Sequence, residues 1–276
     1  MAPIALLTDF GHKDTYVAAM KAVILSMVPS VSIIDLTHSI APGDIRHAAF
    51  EIWRIRPYLP IGTILVAVVD PGVGTERKPI AVNFPGIICV GPDNGIFTYL
   101  LQTELDHTAV DLNRTEFWGK RVSGTFHGRD IFAPIAAHLS NGSSLHKVGD
   151  EFLTPVRLPL PHMVVEARTS ITGEILHIDH FGNLISSIGR LISTNAQLQF
   201  SYWLDPQESF EFTKEQVRIQ LGESELLSIA DNYGSVSAGE PLAYIGSTGL
   251  LEIAVNGGNA ADRYSARRGD PVTLIA

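Results

Sequence analysis

Asp70 is the residue of this sequence best placed by its surroundings to do chemistry. It closes the apolar run Ile64 to Val69 and stands in V-A-V-V-D-P-G-V-G-T-E-R-K-P (66 to 79), with Arg77 seven residues later. A carboxylate ending a buried strand has to be paired or hydrogen-bonded, because leaving it unpaired costs on the order of several kcal/mol. Arg77 is the nearest cation in sequence. Two other runs end in the same way, L-L-T-D-F-G at Asp9 and S-I-I-D-L-T-H at Asp35, so several carboxylates are expected along one sheet edge. His127 lies in G-T-F-H-G-R-D (124 to 130), where it could be a core histidine, yet Gly128 beside it suggests a backbone kept open to a ligand.

The elements that must position these groups follow from the patterning. Ile4 to Thr8, Val31 to Leu36, Ile64 to Val69, Ile80 to Phe84 and Ile87 to Val90 read as strands alternating with helix-period segments, the mark of βαβ units. Such sheets bind ligands outside the carboxyl ends of their strands, which is where Asp9, Asp35 and Asp70 fall. One helix is expected from Asp14 as N-cap, with Val17, Met20, Ile24 and Leu25 on one face, ending before Pro29. A second starts at Asp44 and buries Ala48, Ile52 and Ile55 before Pro57; a third runs from Asp130 to Leu139, with Pro134 in its first turn and Asn141-Gly142 as its stop.

The chain changes character near residue 155. T-P-V-R-L-P-L-P-H (154 to 162) holds three prolines in nine residues and reads as a linker, which makes 1 to 153 an α/β N-terminal domain with a central, mostly parallel sheet. Residues 163 to 276 read as an all-β, barrel-like C-terminal domain. Its strands are expected at Gly173 to Asp179, Val217 to Leu221, Leu226 to Ala230, Pro241 to Ile245, Leu251 to Val255 and Pro271 to Ile275.

Composition narrows the functions. The 276 residues are 45% hydrophobic, enough for sizeable cores, and a formal net charge of -9 argues against a nucleic-acid partner. Apolar stretches fall short of the roughly 18 residues that cross a bilayer, and the N-terminus lacks a signal peptide's basic head and apolar core, so a soluble cytoplasmic protein with no membrane partner is expected. The single cysteine, Cys89, sits in the apolar run G-I-I-C-V-G and reads as a buried strand thiol. There is no G-x-x-x-x-G-K-[ST] loop, no G-x-G-x-x-G after the first strand, no G-x-S-x-G elbow and no H-E-x-x-H helix. Asp14 and Asp44 also fit as plain helix N-caps, and His38, Asp93 and Asn94 as residues that satisfy turns.

Taken together, T-D-F-G, L-T-H-S-I-A-P-G-D, V-D-P-G-V-G-T-x-R, G-P-D-N-G and T-F-H-G-R-D, followed by D-H-F-G-N-L (179 to 184) and S-T-G-L-L-E-I-A-V-N-G-G-N-A (247 to 260), closely resemble the S-adenosyl-L-methionine (SAM) hydroxide adenosyltransferases. These are the water-using relatives of the fluorinases and chlorinases. The resemblance spans nearly the whole chain. It implies a SAM hydrolase, in which water or hydroxide attacks ribose C5′ and displaces L-methionine to give adenosine, with no cofactor and no metal. The family's Asp-Arg-His triad falls on Asp70, Arg77 and His127. Arg77 would then fix Asp70, and either Asp70 or His127 would take the water's proton.

The same resemblance assigns substrate contacts. Asp9 matches the carboxylate that binds both ribose hydroxyls, and Asp14 a methionine-side contact. Phe126 and Gly128 are placed with the substrate-binding residues beside His127. Asp179 and Asn183 match contacts to the amino-acid moiety, Ser247 a carboxylate contact, and Phe181 with Val255, Asn256 and Gly257 the adenine pocket. The halogenating relatives carry a tyrosine at Asp70, a serine at Gly128 and a tryptophan at Gly43, and fluorinase carries an arginine at Thr248. An anion beside Asp70 would be repelled, which favours water over halide. A homotrimer with substrate sites at subunit interfaces is implied as well. Three alternatives remain open: a SAM-dependent halogenase, a non-catalytic adenosine or SAM binding module, and a metal-dependent phosphohydrolase using Asp9, Asp35, Asp70 and His127.

Overall fold

In the computed structural model, which describes residues 1–194, 196–222 and 227–276 and leaves the side chains of 206–208 aside, the chain divides into two compact units, Met1–Leu158 and Pro159–Ala276. The first is α/β. Its elements run β1 (Ile4–Thr8), α1 (Tyr16–Met27), β2 (Ile33–Thr37), α2 (Ile45–Ile55), β3 (Thr63–Val68), β4 (Pro79–Phe84), β5 (Ile87–Pro92), α3 (Thr98–Thr103), β6 (Thr108–Asp111), α4 (Ala133–Ser140), α5 (Leu145–Val148) and β7 (Asp150–Glu151). The sheet order is β2-β1-β3-β5-β4-β6-β7, with the first four strands parallel and the pairs beyond β5 antiparallel. β1 and β3 are buried throughout, as expected of central strands covered on both faces. One face packs Met20 and Ile24 of α1 with Ile135 and Leu139 of α4, and the other packs Ala48 and Ile52 of α2 with Leu100 and Leu101 of α3.

Three expectations are corrected here. The N-cap of α1 is Thr15, which makes no side-chain cap bond, and Asp14 lies exposed in the preceding loop. Leu25 is 41% exposed, so the buried stripe of α1 is narrower than the periodicity suggests. The helix expected from Asp130 begins earlier, with a π-helical turn at Gly128–Phe132 that leads into α4, and Pro134 sits in α4's first turn. Asp44 does cap α2, accepting the His47 backbone N–H at 3.0 Å.

The second unit runs β8 (Met163–Glu166), β9 (Ser170–Ile178), β10 (Leu184–Ser186), β11 (Leu191–Ser193), β12 (Gln197–Tyr202), β13 (Asp205–Thr213), β14 (Arg218–Leu221), β15 (Pro241–Ile245), β16 (Leu251–Val255), a short helix α6 (Ala260–Tyr264) and β17 (Pro271–Ile275). An antiparallel sheet has the order β14-β17-β9-β10-β16-β15, with β8 also paired to β9. Single bridges from Leu227 to Ile219 and from Ile229 to Ala243 tie its two end strands through one short segment, so the sheet is nearly a closed barrel. That segment replaces the strand expected over 226 to 230; Leu226 itself lies outside the described residues. β11, β12 and β13 form a separate three-stranded sheet. Residues 152 to 162 carry neither helix nor strand, and the Val156 and Leu158 N–H groups donate to Asp93 Oδ1 (2.7 Å) and Thr98 Oγ1 (2.8 Å).

Candidate active site

Parallel register places Thr8 beside Val68, so the loops after β1 and β3 leave the sheet together, carrying Asp9 and Asp70. Arg77 folds back across its own loop onto Asp70. Its Nε donates to Asp70 Oδ1 at 3.0 Å and its Nη2 donates to Asp70 Oδ2, a two-point grip that fixes the carboxylate plane. The same Nη2 lies 2.8 Å from His127 Nδ1. The side chains of Arg77 and Asp70 are only 10% and 5% exposed, and the guanidinium carbon sits 5.4 Å from the Phe132 ring centroid. Arg77 Nη1 is buried with no hydrogen-bond partner among the described residues.

This contact decides the state of His127. A guanidinium can only donate, so Nδ1 must offer its lone pair, and the imidazole is neutral with its proton on Nε2. Burial and the Arg77 charge both push the His127 pKa below the usual histidine value, against the opposing pull of Asp70 and Asp130.

Glycines let the two loops meet. Gly74 has φ +77°, and a Cβ there would lie 2.2 Å from the Gly124 carbonyl oxygen. Asp130, 5% exposed, receives the Ser123 N–H at 2.8 Å and Arg129 at 2.6 and 2.8 Å, which pins the 123 to 130 loop around His127. Gly128 is buried, and its Cβ would meet Met20 Sδ at 3.2 Å and the Phe10 ring at 3.4 Å. Phe126 joins Phe10 and Tyr16 in an aromatic cluster with centroids 5.3 to 5.9 Å apart.

Asp9 accepts the Gly43 N–H at 2.9 Å; burial raises its pKa, and that hydrogen bond pulls the other way. Asp35 turns instead to Lys21 (2.6 Å) and His38 (3.1 Å). Among the described residues, Asp9, Asp35, Asp70 and His127 do not gather as a metal-binding group. Asn94 does turn work next to Asp70, its Nδ2 donating to the Val69 carbonyl at 2.8 Å.

In the second unit, Asp179 and Asn183 form a tight turn between β9 and β10. Asp179 Oδ1 receives the Phe181 and Asn183 N–H groups at 2.8 and 2.9 Å, and Oδ2 receives Asn183 Nδ2 at 2.8 Å. Phe181 projects from this turn 72% exposed. Ser247 is exposed in the turn after β15, and the adjacent Thr248 hydroxyl is buried with no partner among the described residues. Val255 ends β16 buried, Asn256 donates to the Val236 carbonyl at 2.9 Å, and Gly257 follows with φ +70°. Motif reading had no signal for three features: the Gly74 and Gly124 approach, the Asp130 latch, and the contact of His38 with Thr8 at 2.9 Å. Each joins residues whose pairing depends on the fold.

Residues 4–149 match the family model of the SAM hydroxide adenosyltransferase N-terminal domain, and residues 173–273 that of the C-terminal domain. The chain is 39% identical over 286 residues to an (R)-S-adenosyl-L-methionine hydrolase of Salinispora tropica, and 36% identical over 282 residues to one of Thermus thermophilus. Both alignments cover 100% of each chain. A fluorinase of Actinopolyspora mzabensis is more distant, at 27% over 98% of this chain and 96% of its own. The crystal structure of an uncharacterized conserved protein from Thermotoga maritima is similar, with a TM-score of 0.85 and 36% identity over 98% of this chain and 99% of that one.

Proposed function

The chain belongs to the SAM hydroxide adenosyltransferase family, and from that premise we propose that it hydrolyses SAM to adenosine and L-methionine. The observation that carries the reading is the Asp70, Arg77 and His127 cluster, with both Asp70 oxygens gripped by one guanidinium that also reaches His127. Water attacks ribose C5′, the C5′–S bond breaks, its electron pair stays on sulfur as the methionine thioether, and one proton is released. The sulfonium is already a good leaving group, so the site's task is to orient the water and receive that proton.

Asp70 is the better acceptor of the two candidates. Each carboxylate oxygen keeps a lone pair after binding Arg77, whereas His127 has Nδ1 engaged and Nε2 protonated. His127 then acts as a donor toward the water or the ribose. Asp9 takes the ribose hydroxyls; Asp14, Asp179, Asn183 and Ser247 complete the methionine side, Phe181, Val255, Asn256 and Gly257 the adenine side, and Phe126 and Gly128 line the substrate site beside His127, on the strength of the family resemblance.

The two-point grip of Arg77 weighs against a metal-dependent phosphohydrolase, since the guanidinium occupies the carboxylate a cation would need. The reaction is therefore written with no metal and no cofactor. A homotrimer with sites at its subunit interfaces, and a cytoplasmic location, rest on the resemblance and on the sequence. Incubation with SAM in ¹⁸O-labelled water, with a chelator present and with or without halide, tests the chemistry. Label in the 5′-oxygen of adenosine is expected; a 5′-halo-5′-deoxyadenosine, an unreactive substrate, or activity abolished by the chelator would each point to one of the other readings.

A further inference from the structure

Behind the Asp9 loop a polar chain that the proposed reaction does not use runs from buried Thr8 and His38 out to the exposed Asp35. Thr8, fully buried at the end of β1, places its hydroxyl 2.9 Å from His38 Nδ1, and His38 Nε2 lies 3.1 Å from Asp35 Oδ1. His38 is 1% exposed, and Lys21 Nζ holds the other Asp35 oxygen at 2.6 Å. The Thr8 oxygen also receives the Phe10 N–H at 3.2 Å. With His38 neutral and its Nε2–H donated to the Asp35 carboxylate, Nδ1 accepts, so Phe10 donates to Thr8 and Thr8 donates to Nδ1. Two backbone ties reinforce it. Gly11 N–H donates to the His38 carbonyl at 2.8 Å, and Gly43 N–H donates to Asp9 Oδ2 at 2.9 Å.

We infer that His38 is a positioning residue that sets the direction of the Asp9 carboxylate through the Thr8 hydroxyl. The chain holds the residues on both sides of Asp9, Thr8 by its hydroxyl and Phe10 by its backbone N–H, and the loop that begins with His38 supplies the N–H that orients Asp9 itself. A histidine that merely filled the core would need neither the second bond of Thr8 nor an ion pair reaching Lys21 at the rim. The inference rests on the reading that Asp9 binds the ribose hydroxyls. On that reading, loosening His38 costs binding common to ground and transition states, which raises KM and leaves kcat nearly unchanged.

The test compares Thr8→Val, close to isosteric, with Thr8→Ser, and His38→Asn with His38→Gln. In place of histidine, the Asn oxygen reproduces the Nδ1 acceptor toward Thr8, whereas the Gln amide reproduces only the Nε2 donor toward Asp35. Thr8→Val and His38→Gln are expected to raise KM for SAM by about tenfold with kcat changed by less than about threefold. Thr8→Ser and His38→Asn should restore most of the loss. With a SAM analogue lacking the ribose 2′-hydroxyl, Thr8→Val and wild type should differ much less, because the contact that Asp9 directs has been removed. An unchanged KM in folded Thr8→Val, equal defects in the Asn and Gln variants, or a loss as large with the analogue overturns the inference. Wild-type protein that releases no adenosine from SAM overturns the hydrolase reading instead. The positioning role is then read from the adenosine dissociation constant of the same variants, with the same ordering expected.

Discussion

Arg77 does most of the organising at the residue scale, because one side chain grips Asp70 at two points and reaches His127. Asp70→Ala should therefore remove the proton acceptor without removing the substrate's anchors. Turnover is expected to fall by about a hundredfold or more, with little change in KM; a large affinity loss at unchanged turnover would show that Asp70 binds and does not catalyse. His127 makes a second prediction. Its neutral form is the one that accepts from Arg77, and burial and Arg77 lower its pKa. The neutral form thus persists to lower pH than for an ordinary histidine, so kcat/KM should hold through the usual histidine range and drop only below it. A drop at or above that range would contradict the assigned tautomer.

At the scale of elements, the centre exists because the loop after β3 and the loop before the π-helical turn touch through glycine. The Gly74 backbone is left-handed at φ +77°, and any Cβ would meet the Gly124 carbonyl. Gly74→Ala should cost about 1–2 kcal/mol from the backbone conformation alone, with the clash added to it. The expected result is a lowered melting temperature together with a loss of turnover, since Arg77 and His127 are carried on the parted loops. Wild-type kcat in a destabilised Gly74→Ala protein would show that the glycine contact serves only folding. Phe10, Tyr16 and Phe126 form an aromatic cluster, and a Cβ at Gly128 would need Met20 and the Phe10 ring to yield slightly.

For the whole molecule, each of the two units has its own core, one around the α/β sheet and one inside the nearly closed barrel. The residues that the resemblance matches to substrate contacts are shared out between them, so the proposed trimer carries a prediction about activity. If the protein is a homotrimer with sites at its interfaces, dilution below the dissociation range should lower specific activity in step with the trimer fraction seen by sedimentation. Full activity in dissociated protein would remove the trimer from the reading.

The extent of several strands was legible from the sequence. Ile4–Thr8, Pro241–Ile245, Leu251–Val255 and Pro271–Ile275 appear with their expected bounds, because apolar, branched runs closed by turn residues are local signals. The placing of Asp9 and Asp70 at strand ends was local in the same sense. α3, buried over most of its six residues, and the four-residue β6 were missed, each too short to show a period, and β7, β8, β10 and the three-stranded sheet of β11, β12 and β13 were missed as well. Asp14 lost the capping position to its neighbour Thr15, a choice made by the path of the loop. The tertiary structure alone decided that Arg77 reaches His127, fifty positions away, and that Thr8 meets His38, thirty away. Periodicity records which face of an element is buried, whereas these contacts depend on how distant loops are brought together by parallel strand register and by glycines that allow backbones to touch.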